Sequence, residues 1–549
     1  MKNQKQVLFF IGFLFFCQIL YAQETTSRFS GNLQADASFF MRDSAIGAIN
    51  TPQYDHQLYG ANSWLQLNYS NWGFDLGMRF DLFNNSNLLN PNGSYTAQGI
   101  GRWFIKKKVK KLGIEVGYLY DQIGTGIVFR AYEQRALALD NALYGVKLSY
   151  DIAEEWKIKA FTGKQKRQFD TYEAILRGIN IDGFLTSSKE GSSWSLAPGF
   201  AVVGRTLSDE TVNTIVNTIS TYSVVDSIGA KYSTYAVTLY NTLTLGDFSW
   251  YVEGAYKSAE QYFDPNAIKT SRTGDTSLGK LVFNSGSVLY TSLGYANNGW
   301  GITLDAKRTH RFSMRNTPFV TGNQGVINFL PAMTRVNTYR LTARYSPATQ
   351  ELGEAAIQAD ISYAPSRKWR FNVNFSNITS GLGSTDSLLY REVFTKVAYK
   401  YKRKWSLVGG IQFQQYNQEV YEFKPGVPLV TTIVPYTEFL YRFTRKKSLR
   451  FEAQYMNTDE DLGGWIFALV ELNFAPHWSF SVSDMYNYNP SKDGDSAIHY
   501  PRFDVFYTNG ANRFSLSYIK QVQGIVCAGG VCRLEPAFSG VRATVSSTF

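Results

Sequence analysis

The chain has 549 residues, of which 44% are hydrophobic and 16% aromatic, and it carries a net charge of +11. Beyond its N-terminal segment no apolar run approaches the roughly 20 residues of a membrane helix, which excludes a helical membrane protein. The charge does not point to nucleic acid, because the basic residues lie in many short turns and not along one stripe.

The N-terminus carries Lys2 and Lys5, then the apolar run Val7–Phe16, then Leu20-Tyr21-Ala22-Gln23. This is the charged, apolar and small-residue order of a secretory signal, with cleavage expected after Ala22. Residues 1–22 are read as a signal peptide and 23–549 as one exported domain. Cys17 makes no lipobox, since Phe16 ahead of it is too bulky. The apolar core is also short for an uncleaved anchor.

Strand-like sequence starts near Ser27. Phe74, Leu76, Met78, Phe80 and Leu82 alternate with Asp75, Arg79 and Asp81. Ile114, Val116, Tyr118 and Tyr120 alternate with Glu115 and Asp121, and Phe248, Trp250 and Val252 with Ser249 and Glu253. Trp369, Phe371, Val373 and Phe375 alternate with Arg370, Asn372, Asn374 and Ser376. Trp405, Leu407, Ile411 and Phe413 oppose Ser406, Gln412 and Gln414. Successive side chains of a strand point to opposite faces, so one face of each segment wants hydrocarbon and the other water. The predicted fold is all-β: a single transmembrane antiparallel β-barrel of about 22 strands, within about 20–26, with long outer loops.

Seven of the 11 Trp (Trp72, Trp156, Trp250, Trp300, Trp369, Trp405 and Trp478) sit at or just after tight polar turns. Trp favours the boundary between lipid and water, so these mark one rim, whose short turns are expected to face the periplasm. Two intervals, Trp156 to Gly246 and Trp300 to Pro365, are too long for one plain hairpin. Each hides an extra strand pair or an infolded loop, and turn parity breaks between Ser313 and Ala355.

Gly124-Thr125-Gly126 precedes the mixed-charge residues Arg130, Glu133, Arg135, Asp140 and Asn141. A lone G-x-G carries no phosphate-binding information. The segment suits either a constriction folded into the lumen, built from Arg130, Glu133, Arg135 and Asp140, or an ordinary surface loop. Ser208 reads as the N-cap of a short loop helix with Val212, Ile215, Val216 and Ile219 at helical spacing. His310 and Ser313 fall on opposite faces of a strand, and His56, His477 and His499 belong to turns or loops, so no hydrolase site assembles. No enzyme activity, metal or cofactor is expected. Asp459-Glu460-Asp461 and Asp493-Gly494-Asp495 read as solvated acidic loops in preference to calcium sites.

The last segment, Val541–Phe549, alternates up to Phe549, with Val541, Val545 and Phe549 on the outward face. It resembles the insertion signal of bacterial outer-membrane proteins. That implies recognition by the barrel-assembly machinery and closure against the first strand, near Phe29 to Phe40. Upstream, Gly524-Ile525-Val526-Cys527-Ala528-Gly529-Gly530-Val531-Cys532-Arg533, with the Ser547-Thr548-Phe549 ending, resembles a group of uncharacterised outer-membrane β-barrels of Bacteroidota. The resemblance implies the outer membrane of a Gram-negative bacterium, among lipid and lipopolysaccharide, and carries no function with it. In an oxidising compartment Cys527 and Cys532 are expected as a disulfide in preference to free thiols, pinning an outer loop. Two thiols cannot fill a tetrahedral zinc site. With no separate plug domain expected, the leading reading is a channel or loop-gated pore for a hydrophilic solute. The alternative is a structural or assembly component of a surface uptake or secretion complex.

Overall fold

The computed structural model describes residues 27–549 apart from 188–192, 382–385, 492–495 and Gly529. Residues 1–22, expected as a signal peptide, and Asp493-Gly494-Asp495 lie outside the described residues. The wall begins with β1 (Arg28–Phe40), β2 (Tyr59–Asn71), β3 (Phe74–Ser86), β4 (Tyr95–Val109), β5 (Leu112–Leu119), β6 (Leu143–Asp151), β7 (Trp156–Arg167) and β8 (Asp170–Gly183). It continues with β9 (Trp194–Thr206), β10 (Ser233–Leu245), β11 (Phe248–Thr270), β12 (Thr276–Asn297), β13 (Trp300–His310), β14 (Gly353–Tyr363), β15 (Trp369–Thr379) and β16 (Leu388–Tyr401). The last eight are β17 (Trp405–Tyr416), β18 (Val430–Arg442), β19 (Lys447–Met456), β20 (Gly464–Phe474), β21 (Trp478–Asn489), β22 (Ile498–Asn509), β23 (Asn512–Gln521) and β24 (Phe538–Thr548).

Each strand pairs antiparallel with its neighbours in the chain, and β24 pairs with β1 from Asn32↔Thr548 to Phe40↔Gly540. The result is a closed barrel of 24 strands. Closure leaves no open edge, which matters because an unpaired backbone group in hydrocarbon costs several kcal/mol. Phe549 adds a last pair of backbone hydrogen bonds with Gly31, at 2.7 and 3.0 Å.

The alternation appears as expected on β3, where Met78, Phe80 and Leu82 face outward and exposed while Arg79 and Asp81 are buried. It recurs on β15, where Trp369, Phe371 and Val373 are exposed and Asn374 and Ser376 are buried. Large apolar side chains thus form an outer belt. No helix of the described residues is long and apolar enough to cross a membrane.

Short turns gather on the rim that also holds Arg28 and Thr548, and all seven girdle Trp lie there. The hairpin between β2 and β3 turns on Trp72 and Gly73, at φ 52° and 69°. Positive φ at both centres matches the right-handed strand twist, as a two-residue hairpin requires. The opposite rim carries the longer connections. The two long intervals resolve differently. Trp156 to Gly246 holds the four strands β7–β10, one pair more than a single hairpin, and this raises the total above 22. Trp300 to Pro365 holds only β13 and β14, with residues 311–352 turned inward between them.

On the long-loop rim β11 and β12 run well past their neighbours. A helix, α1 (Asp209–Ile219), packs there with Val212, Ile215 and Ile219 buried beside Leu281 of β12. Ser208 caps it, accepting from the Thr211 N–H at 3.3 Å.

Candidate functional site: a lumen filled by its own chain

Two segments leave the wall from the long-loop rim and enter the lumen. The first, residues 120–142, departs after Leu119 of β5. Tyr120, expected on the lipid face, instead turns inward and its hydroxyl donates to Asp140 at 2.8 Å. The second is 311–352. The two meet directly: the Arg130 N–H donates to Ile327 O at 3.0 Å and the Phe329 N–H to Gly126 O at 2.9 Å. Ile127, Val128, Phe129, Phe312, Met314 and Ile327 form a core with Phe161, Leu176, Val203 and Val288 of the wall. Further along, Met333, Leu341 and Tyr345 pack against the inner faces of β14 to β22. Where the inserted chain covers it, the inward face of the wall therefore mixes these apolar positions with buried Gln, Lys, Arg and Glu side chains.

An irregular segment has no ladder for its peptide groups, and buried carbonyls left unpaired are costly. The wall supplies the donors. Gln165 donates to Val326 O at 2.7 Å, Gln412 to Thr342 O at 3.0 Å and Gln414 to Tyr345 O at 2.7 Å. Lys257 donates to Ser313 O, Arg205 to Arg315 O and Lys307 to Pro331 O, at 2.8, 2.6 and 2.5 Å. The same cations meet carboxylates: Lys257 and Arg205 share Glu260, and Lys307 pairs with Glu354 at 2.8 Å. Glu253, fully buried on β11, takes both the N–H and the hydroxyl of Thr125, at 2.9 and 2.6 Å, and so pins the first segment. These inward Gln, Lys and Arg side chains are the mould of the inserted chain.

Three of the four residues expected at a constriction belong to one charged knot. Arg79 of β3, 2% exposed, reaches Asp81 at 2.6 Å and Glu133 and Asp140 at 2.7 Å each. Lys166 adds a second cation on Asp140, and Arg135 one on Glu133 at 2.8 Å. Arg130 stands apart, sandwiched between the rings of Tyr132 and Phe329 at 4.1 Å from each. Sequence reasoning missed Arg79, Asp81 and Lys166 as partners, since their alternation reads only as a wet face.

The Cys527–Cys532 disulfide closes the hairpin Gly524–Ala528/Val531–Glu535 between β23 and β24. The hairpin does not stand free in an outer loop. Thr349 N–H donates to Gly530 O at 3.0 Å and Asn323 to Cys532 O at 2.6 Å, so it lies against the inserted segment. A cavity of about 700 Å³ opens beside it, lined by Phe263, Pro318, Val320, Phe423, Ile525 and Leu534 among others. A second, of about 1030 Å³, lies between the segment and the wall near Trp465 and Tyr500.

In the acidic loop after β19, Asp461 is taken by Lys424 at 2.9 Å and Tyr345 at 2.9 Å. Burial alone would raise its carboxyl, but Arg344 and Lys424 hold it below the ordinary value. His310 ends β13 while Ser313, buried, passes its carbonyl to Lys257. Among the described residues no His, Cys, Asp and Glu cluster could hold a metal.

A closed wall with an apolar outer belt and a lumen packed by its own loops defines a large membrane β-barrel of the outer-membrane class. The chain belongs to DUF6029, a family of unknown function, whose profile matches residues 1–549. No curated protein matches the sequence. Similar solved structures include the translocation pore of the P pilus usher PapC, at TM-score 0.43 and 10% identity, covering 95% of this chain and 99% of that one. OccK5 (OpdH) of Pseudomonas aeruginosa matches at TM-score 0.37 and 11% identity, over 71% and 93%. The siderophore receptor PirA of Pseudomonas aeruginosa matches at TM-score 0.39 and 9% identity, over 96% and 81%.

Proposed function

We propose that this barrel is a loop-gated conduit of the outer membrane for a hydrophilic solute, closed at rest by residues 311–352. The carrying observation is that this segment leaves and rejoins the wall at His310 and Gly353, which are paired across β13 and β14, and spans the lumen between. The wall's pairing is complete without it. In this reading residues 1–22 direct export, the short turns face the periplasm, and β24 with Val541, Val545 and Phe549 is read by the barrel-assembly machinery. The knot of Glu133, Arg135 and Asp140 narrows the first segment's side of the path.

The test is planar-bilayer recording. The intact protein should insert and stay mostly silent. A variant with 313–350 replaced by a short Gly-Ser turn should conduct steadily. A shortened variant that folds, shown by a heat-modifiable gel band, and still carries no current would sink the gate. A second reading, a component of a surface uptake or secretion complex, draws on Val224 and Val225, both 94% exposed in the loop that follows α1. Co-purification after gentle detergent extraction tests it, and a Val224→Ser, Val225→Ser double change should release the partner.

A further inference from the structure

Three cations meet at the short-turn mouth of the lumen, where the tip of the inserted segment reaches the wall. Arg335 comes from the tip, Arg370 from β15 and Lys396 from β16. Arg370 is paired with Ala398 and Asn372 with Lys396. Arg370 and Lys396 are thus diagonal neighbours on the inward face, about 7–8 Å apart by strand geometry. Arg335 lies over the Phe394 ring at 3.7 Å and donates to Asn372 Oδ1 at 2.9 Å. All three line one cavity of about 610 Å³.

Among the described residues no carboxylate forms an ion pair with these three cations. Asp360 accepts from the amides of Asn372 and Asn374, at 2.9 and 3.1 Å. Glu438 pairs with Arg450 at 3.2 Å, and Glu392 accepts from Asn337 and Gln412. Among the described residues the side chains of Arg370 and Lys396 have no ion pair or hydrogen bond, and Arg335 Nε is buried without an acceptor. Elsewhere this lumen matches its buried cations closely, as Lys307 with Glu354 shows. Here three cations and one carboxylate, Asp360, line an open cavity and leave it with a positive excess. A diffuse cloud of counterions would soften the cations' repulsion, whereas an oxyanion presents several oxygens that match a guanidinium fork and an ammonium together.

We infer that this cavity is an oxyanion site, taking a phosphate or carboxylate group, and that the bound anion ties the tip of the inserted segment to β15 and β16. The inference deepens the loop-gate reading and rests on it for its meaning: with the site filled the segment is held, and with it empty repulsion at its foot favours release.

The full-length protein in detergent, titrated calorimetrically with inorganic phosphate, should bind about one ion per chain in a saturable manner. At tenfold excess over Kd, amide exchange in residues 331–340 should slow about elevenfold, as linkage to a bound state requires. The Arg370→Gln, Lys396→Gln double variant should lose both effects while keeping its heat-modifiable band, and Arg335→Gln serves should the double variant fail to fold. No saturable binding by the native chain, or undiminished binding by the variants, overturns the site. Binding without slowed exchange overturns the tie. Both readouts stand apart from conductance, so a failed gate would be recognised separately.

Discussion

Arg79→Gln should undock residues 120–142 without opening the wall. Arg79 is the one guanidinium that joins Asp81 on the wall to Glu133 and Asp140 on the inserted chain. Removing one partner of a buried ion pair costs about 3–5 kcal/mol, because the charges left behind stay desolvated. Lys166 and Arg135 remain, which argues for the lower end, about 3 kcal/mol, or roughly a hundredfold rise in the open population. Hydrogen exchange of peptides from 120–142 reads that population directly.

The pH response supplies a second, opposite sign. Burial pushes the Asp140 carboxyl up, but Lys166 and Arg79 outweigh it and hold it below its ordinary value. A depressed folded-state value means docking is complete above the usual carboxylate range and weakens only as pH falls through the lowered value. Between about pH 7 and pH 5 the native chain should therefore show constant protection, once the intrinsic pH dependence of amide exchange is divided out. In Arg79→Gln the knot keeps an excess of negative charge that a proton relieves, so docking should tighten over the same window. Unchanged exchange in an intact barrel, or the same pH response in both proteins, would refute the reasoning.

Deleting Val541 to Phe549 removes the strand that closes the ring against β1, and the truncated chain should fail to reach the outer membrane; a heat-modifiable truncated barrel would contradict that closure. Phe549→Ala should cost only yield, since the loss is one ring that meets Phe29 at 6.5 Å between centroids. Cys527 and Cys532 should resist thiol reagents on intact cells until reduced. Cys527→Ser with Cys532→Ser should leave the barrel inserted, because closing so small a ring contributes about 2 kcal/mol in the chain-entropy model; loss of insertion would show that the hairpin guides folding.

The wall was legible because lipid on one side and water on the other impose a period of two, as Phe80 and Asp81 show. The Trp-marked turns were legible because a rim has a fixed chemistry. So were Ser208 with the helix behind it, and the disulfide. The inserted chain was not. Residues 311–352 have no period, since they are held by side chains of distant strands, such as Gln412 and Gln414, whose targets no local pattern reveals. Their cover also makes inward positions apolar, as at Val203 and Ile378, so alternation fades where the lumen is dry. The broken parity between Ser313 and Ala355 was the one local trace. Arg130 was grouped with Glu133 and Asp140 by charge, yet its guanidinium found two rings. The acid partners went to Arg79, a residue hidden in an ordinary-looking strand.

Because His310 and Gly353 stand opposite each other on paired strands, the inserted segment is a lasso with both ends knotted at one place on the wall. A stopper of this kind cannot be lost to dilution. Each excursion is a unimolecular event, and the return needs no encounter, only the slack of the chain. Its closed fraction should be the same in one molecule as in a crowded membrane, which separates it from any stopper supplied by a second protein.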